Sequence, residues 1–199
     1  MQSDVEMNVY EAILARRSVR RYTSQALDLN TVRLLLEAAV HAPTGMHDEP
    51  WAFAVIQDKD LLRQLSDRAK PLFVTEFRRS GKNRANHALD NYTDPDFNIF
   101  YDAGTLIVIC ADALEPFAAA DCWLAAQNLM LAACAMELGS CVIGSALPAL
   151  NTLSIKKELG IPEKYSVIAP IVVGYPAGET EPMPRKEPFI LNRLPVEQQ

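Results

Sequence analysis

From Ala118 to Leu138 the chain carries no proline and no glycine, and its only polar residues are Asp121, Gln127, Asn128 and Glu137. Alanine, leucine and methionine favour helix, so the stretch reads as one helix of about 30 Å, stopped by Gly139. A helix that is apolar nearly all round must be covered nearly all round, inside a large core or against a second subunit. The many alanines suit close approach of another helix. A membrane span is the rival, but Gln127 and Asn128 fall mid-segment and the bulk is alanine rather than leucine. The expectation is a buried helix that doubles as a dimer seam.

The 199 residues, 49% apolar and 22% charged, suit one domain with a substantial core. A net charge of −6 argues against nucleic acid or an anionic membrane as main partner, since both need a broad basic face. The local exception is Arg16, Arg17, Arg20 and Arg21. Cys110, Cys122, Cys134 and Cys141 show no paired metal spacing, and buried thiols in a reducing compartment are expected. The amino terminus is acidic and lacks an apolar run, so a cytoplasmic protein without a signal peptide is expected.

In chain order, Val9 to Arg16 reads as a short helix, followed by an extended or irregular stretch from Val19 to Ala26. Asp28 caps a second helix with an apolar stripe at Leu29, Val32, Leu35, Leu36, Ala39 and Val40, ended by Pro43. Trp51 to Ile56 is a strand, and Lys59 to Ala69 a helix ended near Pro71. Arg78 to Phe97 turns polar and aromatic and reads as a surface excursion, either a lid or a variable loop. Thr105 to Ala111 is continuously apolar and belongs at the centre of a sheet covered on both faces. After the long helix come a short strand at Cys141 to Ile143, a helix from an Asn151 cap to Leu159, and a last strand from Tyr165 to Gly174. The proline-rich tail beyond Pro176 is either disordered or laid along a partner.

No Gly-x-Gly-x-x-Gly occurs, and Gly139 to Gly144 is followed by Ser145-Ala146 without a lysine, which leaves dinucleotide and P-loop sites unsupported. His41, His47 and His87 are scattered, so no metal site is expected, and no Gly-x-Ser-x-Gly marks a serine nucleophile. What remains is Arg16-Arg17-Ser18-Val19-Arg20-Arg21, whose guanidinium forks match phosphate oxygens. Arginines at a helix end also complement its dipole, and the run alone leaves both readings open. Ala42-Pro43-Thr44-Gly45-Met46-His47-Asp48-Glu49-Pro50-Trp51 and Cys141-Val142-Ile143-Gly144-Ser145 are turns able to present backbone and side chains to a ligand.

Taken in order, Arg16 to Arg20, Ala42 to Gly45 with Pro50-Trp51, the alanine-rich helix ending Glu137 to Gly144, Gly174-Tyr175-Pro176 and Arg185-Lys186 resemble the nitroreductase family of FMN-dependent NAD(P)H oxidoreductases. The resemblance implies an α+β fold, three layers with a mixed central sheet flanked by helices, one domain over residues 1–199. It further implies an intertwined homodimer with a long buried interface helix, a lid-like excursion at about 78–97, and an extended tail from about 177 to 199 wrapping the partner. By position, Arg16, Arg17, Ser18 and Arg20 would hold the FMN phosphate, ribityl chain and ring edge, with Arg185 closing on the phosphate. Pro43, Thr44, Gly45 and His47 would line the flavin from the other subunit, while Ile143 and Gly144 would offer backbone amides near N5 and O4.

The implied reaction is ping-pong: NADH or NADPH passes hydride to flavin N5, and a nitroaromatic, quinone or flavin then takes it, with no catalytic side chain required. Tyr92, Phe97 and Phe100 are expected either as an aromatic lid over the substrate or as packing within the loop. The family commonly has Asn where this chain has His47 and Gln where it has Glu49. An ionised Glu49 beside the ring would disfavour the anionic reduced flavin. Rival expectations are a specialised relative, such as an enone reductase, dehalogenase or flavin-fragmenting enzyme, and a non-catalytic flavin-binding protein.

Overall fold

The computed structural model describes residues 7–80, 89–112 and 115–191. Its centre is β2 (Thr105–Asp112), the continuously apolar strand, flanked by β1 (Trp51–Ile56) and β4 (Tyr165–Gly174), with β3 (Gly139–Val142) beyond β4. Alternate β2 side chains enter two cores. Leu106, Val108 and Cys110 face α3 (Lys59–Arg79), α6 (Leu147–Leu150) and α7 (Leu153–Glu158), while Ile107, Ile109 and Ala111 face α2 (Leu29–Val40) and α5 (Ala118–Ala135). A strand buried on both sides has no polar face, which is why its sequence does not alternate. The layers are helix, sheet, helix, as expected.

The named strands all pair antiparallel, and the parallel pairing is a single bridge between Ser18 and Ser140. The expected mixed sheet is therefore antiparallel except at that point. A bulge at Ile109/Cys110 sets Ala169 against Ile109 and Val167 against Cys110. Two residues apart in a regular strand would share a face. The bulge instead sends Val167 to the first core and Ala169 to the second. Pro170, which cannot donate, follows immediately.

The organising helix α5 is shorter than its apolar run. Its last turn closes when Glu137 adopts φ 59 and Leu138 N–H donates to the Ala133 carbonyl at 2.8 Å, with Glu137 N–H on Cys134 at 3.1 Å. Glu137, not Gly139, takes the left-handed position. Ala118, Cys122, Ala125, Ala126, Leu129, Met130 and Ala133 are buried on the sheet side, whereas Trp123 and Leu124 stay 43% and 45% exposed. One chain covers only part of this helix.

Helix α3 runs through Pro71 instead of ending there, with Pro71 itself exposed, and the short α4 (Asp90–Thr93) is the next helix among the described residues. An internal proline costs about 3 kcal/mol. The continuing stripe of Leu62, Leu65, Ser66, Ala69, Phe73 and Phe77 packs toward α6 and the 3-10 turn Gly144–Ala146, and this outweighs the cost. The cap of α7 is Thr152, whose hydroxyl accepts from the Ile155 amide, while Asn151 exchanges hydrogen bonds with Val167.

All four cysteines are free, and burial pushes the thiols of Cys110 and Cys122 up to about 11 and about 12. Among the described residues no helix is long and apolar enough to cross a membrane, and no His/Cys/Asp/Glu group could hold a metal ion.

Candidate functional site

The arginine run hangs between a helix end and a strand edge. Helix α1 (Val9–Ala15) starts at an Asn8 cap reinforced by Glu11 and packs on α5. Beyond it, Val19 N–H donates to the Ser140 carbonyl at 3.1 Å, laying Ser18 beside Ser140 on β3. Gly139 permits this approach, since an added Cβ would lie 2.8 Å from Val19 Cβ. The buried Tyr22 hydroxyl donates to the Val19 carbonyl at 2.8 Å, fixing the following turn.

The four arginines do different work. Arg17 donates through Nη1 to the carbonyls of Leu14 and Arg16, so the dipole-capping role left open by the sequence is realised there. Arg21 donates to the Glu179 carbonyl and ties down the start of the tail. Arg16 and Arg20 form no ion pair among the described residues, whereas Arg63 and Arg68 do. Arg20 lies near Tyr101 and Cys141. The Cys141 thiol is pushed up by burial, with Arg20, a hydrogen bond to Ser18 and Arg16 pulling the other way. Arg16, Ser18 and Arg20 thus gather positive charge and a hydroxyl around Cys141, with no ion pair to either arginine among the described residues.

Four residues beyond Ser140, Gly144 opens the way to a cleft of about 440 Å³ lined also by Phe73, Phe77 and Leu147. An added Cβ on Gly144 would meet nothing within 4 Å. Ile143 is different: it is buried, and its amide donates to the Pro170 carbonyl at 2.8 Å, which removes that amide from those available to a ligand. A second recess of about 300 Å³ is lined by Arg20, Phe97, Asn98, Tyr101 and Asp102. Tyr101 and Asp102 both have positive φ, at 55° and 57°, and Asn98 Nδ2 donates to Asp102 at 2.8 Å.

A line of aromatic rings joins the two hollows: Phe77 to Phe73 at 5.9 Å, Phe73 to Tyr92 at 4.7 Å, Tyr92 to Phe97 at 5.5 Å, and Phe97 to Tyr101 at 5.9 Å. Phe97 therefore lines the second recess and Tyr92 links it to Phe73 of the cleft, whereas Phe100 lines neither. Phe100 is 1% exposed in the core on the α3 side of the sheet, so the lid expectation fails for it. Phe100→Ala is expected to lower unfolding free energy by about 3–5 kcal/mol in chemical denaturation, with KM for acceptors unmoved.

The excursion around these rings is partly outside the described residues, at 81–88. Its far end is pinned rather than loose. The buried Lys70 ammonium donates to the carbonyls of Asp94, Pro95 and Phe97, Arg63 donates to Pro95 and Asp96, and the Ile99 amide donates to Ser66 Oγ.

Pro43, Thr44, Gly45 and His47 lie elsewhere. Their loop packs at the amino-terminal end of α5, where Gly45 N–H donates to both oxygens of Asp121 at 3.2 Å. An added Cβ on Gly45 would sit 2.7 Å from the Phe117 ring. Arg16 and Arg17, by contrast, act on Cys134 near the other end of α5. Asp121 and Cys134 are thirteen helical steps apart, about 20 Å. A single chain does not bring the loop and the arginines together. Arg185 is exposed on the tail.

Phe73, Phe77, Tyr101 and Asp121 were not singled out from the sequence. The signals were present: Phe73 and Phe77 continue the α3 stripe past Pro71, and Asp121 is the lone acid of an apolar helix.

Comparison with known proteins gives a consistent result. The model of the nitroreductase family matches residues 13–175. A Methanothermobacter thermautotrophicus protein provisionally named NADH dehydrogenase/NAD(P)H nitroreductase is 26% identical over 86% of this chain and 79% of its own. A nitroreductase with bound FMN from Bacteroides fragilis superposes with a TM-score of 0.75 at 26% identity, covering 96% of this chain and 99% of its own. An iodotyrosine deiodinase from Thermotoga neapolitana is 24% identical over 92% of this chain and 96% of its own.

Proposed function

Because the chain belongs to the nitroreductase family, and so is an FMN-dependent oxidoreductase, we propose that it transfers hydride from NADH or NADPH to an electron-poor acceptor by a ping-pong sequence. Nitroaromatics, quinones and free flavins are the acceptor classes. The observation that carries this reading is the pair Arg16 and Arg20, guanidiniums with no ion pair among the described residues, on a segment tied to β3 at Ser140, the strand that leads to the open Gly144. Unneutralised guanidiniums next to a hydroxyl suit a dianionic phosphate, and a side-chain-free backbone position suits the close approach of a flat ring. The donor set fits FMN.

Bound there, FMN supplies a two-electron carrier that takes and gives hydride at N5. The chain's part is to grip, orient and screen. Arg16, Ser18 and Arg20 hold the phosphate end and the ring edge, with Arg17 acting through the α1 terminus it caps. Gly144 leaves room for the ring, and Phe73, Phe77, Tyr92 and Phe97 give the acceptor an aromatic wall that limits water. No side chain is assigned a proton transfer, and water serves.

The separation along α5 supports a shared site. Two chains packed with their α5 helices antiparallel would set Pro43, Thr44, Gly45 and His47 of one against Arg16, Ser18 and Arg20 of the other, giving a homodimer with two clefts. The exposed apolar residues support the same arrangement: Tyr10, Ile13 and Leu14 on α1, Trp123 and Leu124 on α5, and Phe189 to Leu191 on the tail. Arg185, exposed on the tail, would close on the phosphate in the same assembly.

The test is spectroscopic. Purified protein is expected to carry FMN, lose its visible absorbance on anaerobic NADH or NADPH, and regain it on adding an acceptor. Folded protein that takes up no FMN would sink the proposal. FMN that neither nicotinamide reduces would mark a flavin-binding protein instead.

A further inference from the structure

We propose that Asp121 is a positioning residue for the cofactor: its buried carboxylate holds the 43–49 loop in the shape that meets FMN gripped by the other chain. The inference rests on the two-chain FMN reading. Asp121 is 3% exposed, in the first turn of α5, and is the only acidic side chain on that helix. No ion pair involves it among the described residues, and both of its oxygens accept from the Gly45 amide at 3.2 Å. A carboxylate taken out of water without a cation is costly, and a core helix gains nothing from it that alanine or leucine would not supply. The free amides of the first turn ease that cost. What the carboxylate provides is an acceptor for the loop.

The loop needs one. Met46, His47 and Glu49 stand at φ 56°, 61° and 43°, a left-handed conformation that non-glycine residues keep only when their surroundings over-determine it. All three side chains are exposed, and inside the turn the Asp48 amide bonds the Gly45 carbonyl at 3.2 Å. The fixed point is Gly45, held between the Asp121 carboxylate and the Phe117 ring. Without the acceptor the Gly45 amide seeks water, the turn relaxes toward ordinary backbone, and Thr44 and His47 leave their places. Asp121 touches neither flavin nor substrate and acts through Gly45.

The experiment compares wild type with D121A and D121N as full-length dimers. It reads the FMN dissociation constant by release of flavin fluorescence, the visible circular dichroism of bound flavin, and oligomeric state. D121A is expected to weaken FMN by about tenfold or more and change the dichroism while remaining dimeric. D121N keeps a carbonyl acceptor and is expected to stay within about threefold of wild type. Wild-type affinity and dichroism in D121A overturn the inference, as does D121N as impaired as D121A. Where D121A does not fold, Gly45→Ala decides, because its Cβ displaces the loop from Phe117 with Asp121 intact: weakened FMN supports the inference and unchanged binding overturns it. Wild type unable to bind FMN defeats the functional reading itself, whereas FMN-binding wild type beside an indifferent D121A defeats only this step.

Discussion

An Arg16→Glu, Arg20→Glu double variant is expected to purify folded and colourless, with FMN affinity reduced by a factor between about 10² and 10⁴. Each charge-assisted contact to a phosphate contributes about 1.5–3 kcal/mol, so losing two removes about 3–6 kcal/mol, and the reversed charges add repulsion. Folding should survive, because neither side chain is in an ion pair among the described residues and Arg20 is exposed. Equilibrium dialysis against FMN, with circular dichroism as the folding control, measures the effect. Undiminished FMN retention would remove the phosphate grip and leave the arginines as helix-end charge, the role Arg17 already fills.

Replacing Trp123 and Leu124 on the open face of α5 with Asp is expected to produce monomers that also lose FMN. Burying side chains of this size contributes about 1.5–3 kcal/mol each, and two-fold symmetry counts every position twice. Four carboxylates brought into one apolar seam would raise the dimer dissociation constant by several orders of magnitude. Light scattering on an eluting column, with absorbance at the flavin band, reads both consequences together. Monomers that keep their full FMN complement would show that one chain suffices and would overturn the shared cleft. A persistent dimer would place the seam elsewhere.

Much of the fold was legible because local signals and tertiary demands agreed. Asp28 caps α2 and β4 spans Tyr165–Gly174 as the sequence suggests, and the apolar β2 lies at the centre. The misreadings are places where long-range packing overrode a local rule. Pro71 sits on the outer side of α3, so its missing donor disturbs no buried contact while Phe73 and Phe77 continue the inner stripe. Gly139 looked like a helix stop, yet its small size serves the close approach of Val19, and Glu137 makes the stop.

The site was legible as a set of motifs but not as an arrangement. Phe97 and Phe100 are three residues apart and chemically alike, and only the turn at Asn98–Asp102 leaves one half-buried at the Arg20 recess and sends the other fully into the core. Arg16 and Arg17 are adjacent, yet Arg17 folds back on α1. Side-chain direction of this kind depends on backbone angles that residue type does not specify. The Asp121–Gly45 contact bridges residues far apart in sequence, so neither half announces the other.

The tail pairs with residues 21–23 through Thr23 N–H on Tyr175 and Ala177 N–H on Arg21, then runs exposed to Phe189, Ile190 and Leu191. On the two-chain reading, a single chain can close its sheet and both cores before it meets another, because no described residue beyond Tyr175 belongs to either core, and only the exchange of arms waits for a partner. Embrace between finished copies would then be a second-order event, so scarce protein in a sparsely expressing cell would linger as single, sticky-ended molecules with nothing to hold.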